Sequence, residues 1–246
     1  MTGAVSLQTP QDVANDYATL VFVIQQLLNR VATVTLVKVV SCTNDGGVSP
    51  FGFVNVIPLV NQMAGSNRQA VPHGTLYRLP YFRLQGGTNA VILDPQPDDI
   101  GLAAFCMRDI SAVKSDPAAA VANANAGKGG ANPGSQRQFN MADGLYIGGF
   151  LNGTPAQYVQ FNADGITLHS PTKVRVEAPA VEVAGSTSVL VQSPSITLDG
   201  PVHVTGAVTG DSTAVFTGNV TGQGTSLHTH IHSGVQTGGG NSGPPV

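Results

Sequence analysis

Along the chain, the spacing of apolar and polar residues changes twice. Between residues 10 and 31, Leu20, Ile24, Leu27, Leu28 and Val31 recur three and four positions apart, the spacing of one helix face. Pro10 and Asp12 suit a first helical turn, so this stretch predicts a helix over 10–31. Val21, Phe22 and Val23 make it apolar nearly all round, as in helices that are buried or bound to a partner. Packing on its own domain is the expectation, and docking to a neighbouring chain or a larger assembly is the functional reading. From 32 to 114 the pattern becomes that of short strands: Thr33–Val40, Phe53–Val60 with Pro58 inside it, Tyr77–Leu84, Ala90–Leu93 and Ile100–Asp109. Turn residues separate them, among them Asn44–Gly47 and Pro95–Asp99. Five strands in this space predict a small closed or partly open barrel of the OB-fold kind. Residues 115–138, rich in Ala, Asn, Gly, Pro and Ser, have no period and read as a linker.

Beyond Phe139 the pattern shortens again. Pairs of apolar residues one position apart recur as Ile166/Leu168, Val174/Val176, Val181/Val183, Val189/Val191, Ile196/Leu198 and Val202/Val204, with Val208 as a fainter last member. The steps between first members are 8, 7, 8, 7, 6 and 6 residues. Each unit is a strand of about five residues and a small turn, which suits one wall of a β-helix or prism. A solenoid this thin buries little by itself, so three chains wound into a triangular prism are expected over 139–222. Thr167, Lys173, Arg175, Glu177, Glu182, Gln192, Thr197 and Asp199 then face outward.

Composition narrows the function. Only 10% of the 246 residues are charged, 41% are hydrophobic, Gly numbers 30 and Trp is absent. Such a mixture suggests repetitive β-structure over a helical enzyme core. A net charge of −3 gives no bias toward nucleic acid. Cys42 and Cys106 lie in apolar runs and read as buried reduced thiols. No basic segment precedes an apolar stretch at the N-terminus, and no apolar run is long enough to span a membrane as a helix.

The C-terminal end carries the candidate chemistry. Residues 212–246 are 35 consecutive positions without Asp, Glu, Lys or Arg. An uncharged tip costs less to push into hydrocarbon than a charged one. Within it, His228, His230 and His232 alternate. On an extended strand His228 and His230 share one face, so three chains around an axis would present six imidazoles to one point over 223–246. That donor set suits an octahedral transition-metal ion; zinc prefers four ligands, and iron(II), nickel and cobalt stay open. His232 is a further candidate ligand or points at solvent beyond the site. The ion would cross-link chain ends that have no core to hold them.

Nothing in the pattern builds a catalytic cleft. The chain has 12 Asp and two Glu, Glu177 and Glu182, both placed on the outer prism face. Asp98 and Asp99 read as turn-capping residues, and His73, His169 and His203 stand apart from one another. No nucleophile elbow, phosphate loop or zinc-protease motif occurs, so the chain is not expected to be an enzyme.

Leu227–His228–Thr229–His230 with its Gly-rich, Pro-ending tail resembles the central spike proteins of contractile-tailed bacteriophages. Pro95–Ile110, an acidic Pro-containing turn before an apolar strand ending in Arg108–Asp109–Ile110, is a second similar stretch. The resemblance runs nearly the whole length in order. It implies a homotrimer with one apex iron per trimer held by His228 and His230 of three chains. It also implies a baseplate hub or tail-tube partner at the N-terminal end, and transient contact of the tip with the host outer membrane. The location implied is the virion, at the tip of the tail baseplate, and the role is mechanical: piercing the envelope as the sheath contracts. Some relatives carry a lysozyme domain after the barrel, and 115–138 is too short for one. A receptor-binding tail fibre, or the spike of a phage-derived secretion or injection device, are the alternative readings.

Overall fold

A computed structural model of the chain describes residues 10–64, 69–231, 234 and 238. It is mainly β, with 26% strand and 15% helix. It divides into two compact units, one reaching to Val174 and one beginning at Arg175.

In the first unit, a 3₁₀ turn at Pro10–Val13 leads into helix α1, Asp16–Leu28. Asn15 separates them. Its backbone is extended (φ −162°) and its side chain accepts the Ala18 N–H at 2.9 Å, an N-cap that starts a new helix. The single helix expected over 10–31 is therefore broken at that residue. No residue of α1 is buried and Ala18, Thr19, Val21, Phe22 and Gln26 are half-buried, so the packing on its own domain that its apolar surface predicts is only partial.

The strands that follow are β1 (Val34–Cys42), β2 (Phe53–Pro58), β3 (Gln62–Ala64), β4 (Gln69–Val71), β5 (Leu76–Pro80), β6 (Gln85–Gly86), β7 (Asn89–Ala90), β8 (Ile100–Phe105) and β9 (Gly144–Gly149). Five of them form one antiparallel sheet in the order β5-β2-β1-β8-β9. The sheet curls so that its two edges approach: Tyr81 and Tyr146 form a parallel bridge, and the Phe82 N–H donates to the Tyr146 carbonyl at 2.7 Å. Alternate residues of β1 and β2 point into the curl. Val37, Val39, Val54 and Val56 meet Leu76, Leu79, Ala103 and Tyr146 there as the core.

The fourth expected strand, Ala90–Leu93, is not found as a strand of this sheet. It contributes only its first residue, to the two-residue β6–β7 ladder. Asp94 at its end is held in a buried network, and Pro95 and Pro97 cannot donate to a ladder. The place beside β8 is taken by β9, from within the segment assigned to the prism. Gly101 makes this possible, since a Cβ there would fall 2.3 Å from the Gly148 carbonyl and from the Tyr146 ring.

The stretch between β8 and β9 is also more ordered than a linker. Helix α2 (Ser111–Ser115) is followed by α3 (Pro117–Asn125), started by Asp116, which accepts the Ala119 N–H at 2.8 Å. A buried cluster then fastens the returning chain. Asp109 accepts from Ser135 Oγ at 2.6 Å and the Ser111 N–H at 2.8 Å, and Arg137 bridges Asp109 and Asp143 at 3.0 and 3.1 Å. The Ser111 and Ser135 hydroxyls and the Ser111 N–H hold the Asp109 carboxyl well below the usual carboxylate range, against the opposing pull of burial.

A second network lies under the β1–β2 turn. Arg83 donates to Asp94 Oδ1, Tyr81 Oη and the Ser49 carbonyl, while Asp94 Oδ2 accepts the Gly46 N–H at 2.9 Å. Burial works to raise the Asp94 carboxyl, but hydrogen bonds from Tyr81, Arg83 and Gly46 outweigh it and keep the group ionised. Burial and the bond to Asp94 push the Tyr81 phenol up to about 12.

The first unit also contains the hairpin β10 (Tyr158–Asn162) and β11 (Gly165–His169). In the second unit, residues 175–220 carry neither helix nor strand, and the described ladder is the short pair β12 (Thr221–Gly222) and β13 (Thr225–Ser226).

Candidate functional site

Two features stand out, an apolar ladder facing solvent and a histidine turn at the tip. The ladder begins in the β10–β11 hairpin. Its register pairs Val159 with Leu168 and Phe161 with Ile166, which places all four on one face. The other face carries Tyr158 stacked on His169 with ring centroids 5.0 Å apart. All four apolar side chains are exposed, Phe161 by 75% and Ile166 by 70%. A two-stranded hairpin with one bare apolar face is marginal in water without a further layer.

From Val174 to Val208 the alternation continues without a partner. Val183 is 73% exposed and Leu198 is 70% exposed, although the pattern marks them as one face of a strand. Among the described residues, no backbone N–H between 171 and 219 bonds to a backbone carbonyl of the same chain. Both the side-chain and the backbone valences of this stretch are therefore open toward water or another chain. The polar residues of the stretch are exposed as well. Arg175 and Glu177 pair at 2.7 Å with both ends exposed, a contact of small energetic weight. Glu182 is likewise exposed.

At the tip, β12 and β13 make a tight hairpin around Gln223–Gly224. The chain then turns at Leu227–Thr229, closed by the His230 N–H bonding to the Ser226 carbonyl at 3.1 Å. His228 and His230 thus sit on a turn instead of the extended strand that their spacing predicts. Asn219 and Ser226 shape it: Ser226 Oγ donates to Asn219 Oδ1 at 2.8 Å and accepts the N–H groups of His228 and Thr229 at 3.1 and 3.0 Å. Every one of these bonds is local, which is how an uncharged Gly- and Thr-rich segment holds a shape without a core. A hollow of about 480 Å³ opens beside it, lined by Phe216, Val220, Leu227 and His228 among others.

The imidazole of His230 is oriented in a way that bears on a metal. Its Nδ1 lies 3.2 Å from the Ser226 carbonyl and 3.1 Å from the Leu227 carbonyl. Carbonyl oxygens only accept, so Nδ1 is the donor to them. Metal-ligating histidines commonly hold one ring nitrogen on a backbone carbonyl in this way. Imidazoles are a donor type that suits a transition metal. Among the described residues, no group of three or more His, Cys, Asp or Glu side chains of one chain could hold the ion. His232 lies outside the described residues.

The other singled-out residues have structural roles. Asp98 pairs with Lys38 at 2.9 Å and Asp99 caps the Gln96 N–H at 2.8 Å, both as turn residues. His73 Nδ1 meets Gln62 Nε2 at 3.2 Å, with burial lowering the imidazole's basicity. Cys42 and Cys106 are free, half-buried thiols. Among the described residues no helix is long and apolar enough to cross a membrane. Asn219 and Ser226, which shape the histidine turn, were not legible in the sequence: one Asn and one Ser in a polar stretch give no periodic signal.

Compared with known proteins, residues 224–246 match the family model described as the GpV Apex motif. The match is short, covering the histidine turn and the tail after it. No curated protein matches the chain. The motif fits a phage central-spike protein and suggests a structural component of the virion tail.

Proposed function

We propose that the chain is the homotrimeric central spike of a contractile phage tail, mounted at the tip of the baseplate and driven through the host outer membrane when the sheath contracts. The observation that carries this reading is the solvent-facing ladder. Burying an aliphatic side chain such as valine is worth about 1.5–3 kcal/mol, so a regular row of exposed pairs is costly unless another surface covers it. Two more copies of the same row, wound as a triangular prism, would cover the apolar faces and pair the open backbone groups together. Flat sheet-edge pairing with an unrelated protein would satisfy the backbone alone.

The first-unit sheet supports an OB-fold for the end facing the tail. Its strand order and the parallel approach of its two edges at Tyr81 and Tyr146 are those of a partly open five-stranded barrel. That end would dock to the baseplate hub or tail tube and receive the force. The uncharged tip would meet the membrane, where every absent charge lowers the cost of penetration.

At the apex, His228 and His230 of three chains would hold one metal ion, for which iron(II) is the proposed identity. The ion supplies a cross-link where no apolar core exists. The chain's own part is to orient the ligands: the Ser226 and Leu227 carbonyls hold the His230 ring at Nδ1, and Asn219 and Ser226 set the turn.

Elemental analysis with light scattering on the untagged, dialysed protein tests both parts. Three chains with one tightly held iron are expected, and His228→Ala with His230→Ala should lose the metal while keeping three chains. A metal-free single chain would sink the reading. A metal-free trimer would remove the apex site and leave the spike.

A further inference from the structure

We propose that helix α1 is a second trimerisation element, packing in parallel against the α1 helices of two further copies of this chain. The proposal rests on the homotrimer proposed above. Within α1, Tyr17, Leu20, Ile24 and Leu27 follow a three-four-three spacing, and Val31 continues it by four just past the helix end. This is the a/d seam of a coiled coil. The flanking positions are apolar too, with Val23 and Leu28 exposed beside the seam. An arc this wide suits a helix that touches two neighbours, since a two-helix seam needs only a and d.

The structure divides the helix surface the same way. Tyr17, Leu20, Ile24 and Leu27 are all exposed, whereas Ala18, Thr19, Phe22 and Gln26 on the opposite side, and Val21 at one flank, are half-buried. The chain thus covers the side away from the seam and leaves the seam bare. At 13 residues α1 is about the length at which an isolated helix is marginal in water. A heptad seam is self-complementary between identical helices in register, with a meeting a and d meeting d. No charge occurs from Tyr17 to Asn29, and Asp16 and Arg30 flank that stretch at its two ends. Two heptads are short for a free coiled coil. Chains already joined elsewhere hold their helices at high effective concentration, which offsets that shortness.

The test uses the full chain with Ile24→Cys on the seam, and Gln25→Cys, next to it but off the seam, as control. Each is mildly oxidised and run on a denaturing non-reducing gel, and the same samples are sized by light scattering. Several-fold more two-chain product is expected from Ile24→Cys than from Gln25→Cys or from the unaltered chain, which reports linkage through Cys42 or Cys106. Failure of Ile24→Cys to cross-link in a sample that scatters as three chains overturns the helix seam and leaves the spike trimer standing. Equal cross-linking at both positions overturns it as well, because freely colliding helices have no seam. A single-chain sample overturns the trimer and this inference together.

Discussion

The curled sheet and the ladder use the same amino acid for opposite ends. In the sheet, Val37, Val39 and Val56 are fully buried (0% exposed), each enclosed by strands of its own chain. In the ladder, Val183 and Val191 alternate just as regularly and are 73% and 65% exposed. Both segments show the period of two that marks one buried face. What separates them is strand supply. β1 and β2 are 9 and 6 residues long and find partners within the chain. Beyond β11 the ladder's units recur every 6–8 residues and find no partner strand in their own chain. Periodicity therefore marks a face for burial, and the supply of partner strands states whether one chain can do it.

The sharpest way to break this comparison is to charge the ladder. Val183→Asp with Val191→Asp should abolish assembly while leaving the first unit folded, read by light scattering and by circular dichroism. If the chains still associate, the ladder is not the interface.

Within the sheet, the largest single-site loss should come from Asp94→Ala, because it strands the buried Arg83 guanidinium without its carboxylate. A fall in the denaturant midpoint of the first unit measures it, and an unchanged midpoint would show the network to be dispensable. Next in size is Val56→Ala, expected to cost the sheet about 2 kcal/mol whatever the protein concentration. The matching change in the ladder, Val189→Ala, should have a cost that depends on chain concentration, as for any interface between chains. Identical behaviour of the two would erase the distinction.

Extremes of pH should weaken the first unit. The Asp94 and Asp109 carboxyls lie below their ordinary value of 3.8 in the folded chain, so their stabilisation is present above that pH and is lost as pH falls through their folded values. Tyr81 and Tyr146 are pushed up to about 12, chiefly by burial, so their contribution is complete below pH 10 and is lost as pH rises through 12. Ultraviolet titration of the phenols alongside unfolding would show the two events together. The smallest effect belongs to Tyr146→Phe. Among the described residues the buried Tyr146 hydroxyl has no hydrogen-bond partner, so its removal should change stability by no more than about 0.5 kcal/mol or raise it. A loss well beyond that would reveal a bond the hydroxyl makes only in the assembled protein.

Three of the five sheet strands were legible along β1, β2 and β8, and the β5 region was found with shifted ends. β9 was not, because Gly144–Gly149 has little side-chain pattern of its own and joins β8 across about 40 intervening residues. The helix expected over 10–31 missed the break at Asn15, since the apolar spacing runs on without regard to a polar cap. At the tip, the histidine spacing marked the residues, but the turn that carries them depends on Asn219 and Ser226.

By itself, the sequence determined what repeats or accumulates locally: the two-residue strand period, the short step of the ladder, the heptad-like spacing of α1, the uncharged end and the paired histidines. These properties belong to neighbouring residues and survive in any fold. Only the tertiary structure decided which strand closes beside β8, which carboxylates become buried partners of Arg83 and Arg137, and which apolar rows stay bare. Those outcomes depend on contacts between residues far apart in the chain, where hydrogen-bond satisfaction and close packing select one partner from many with the same local pattern.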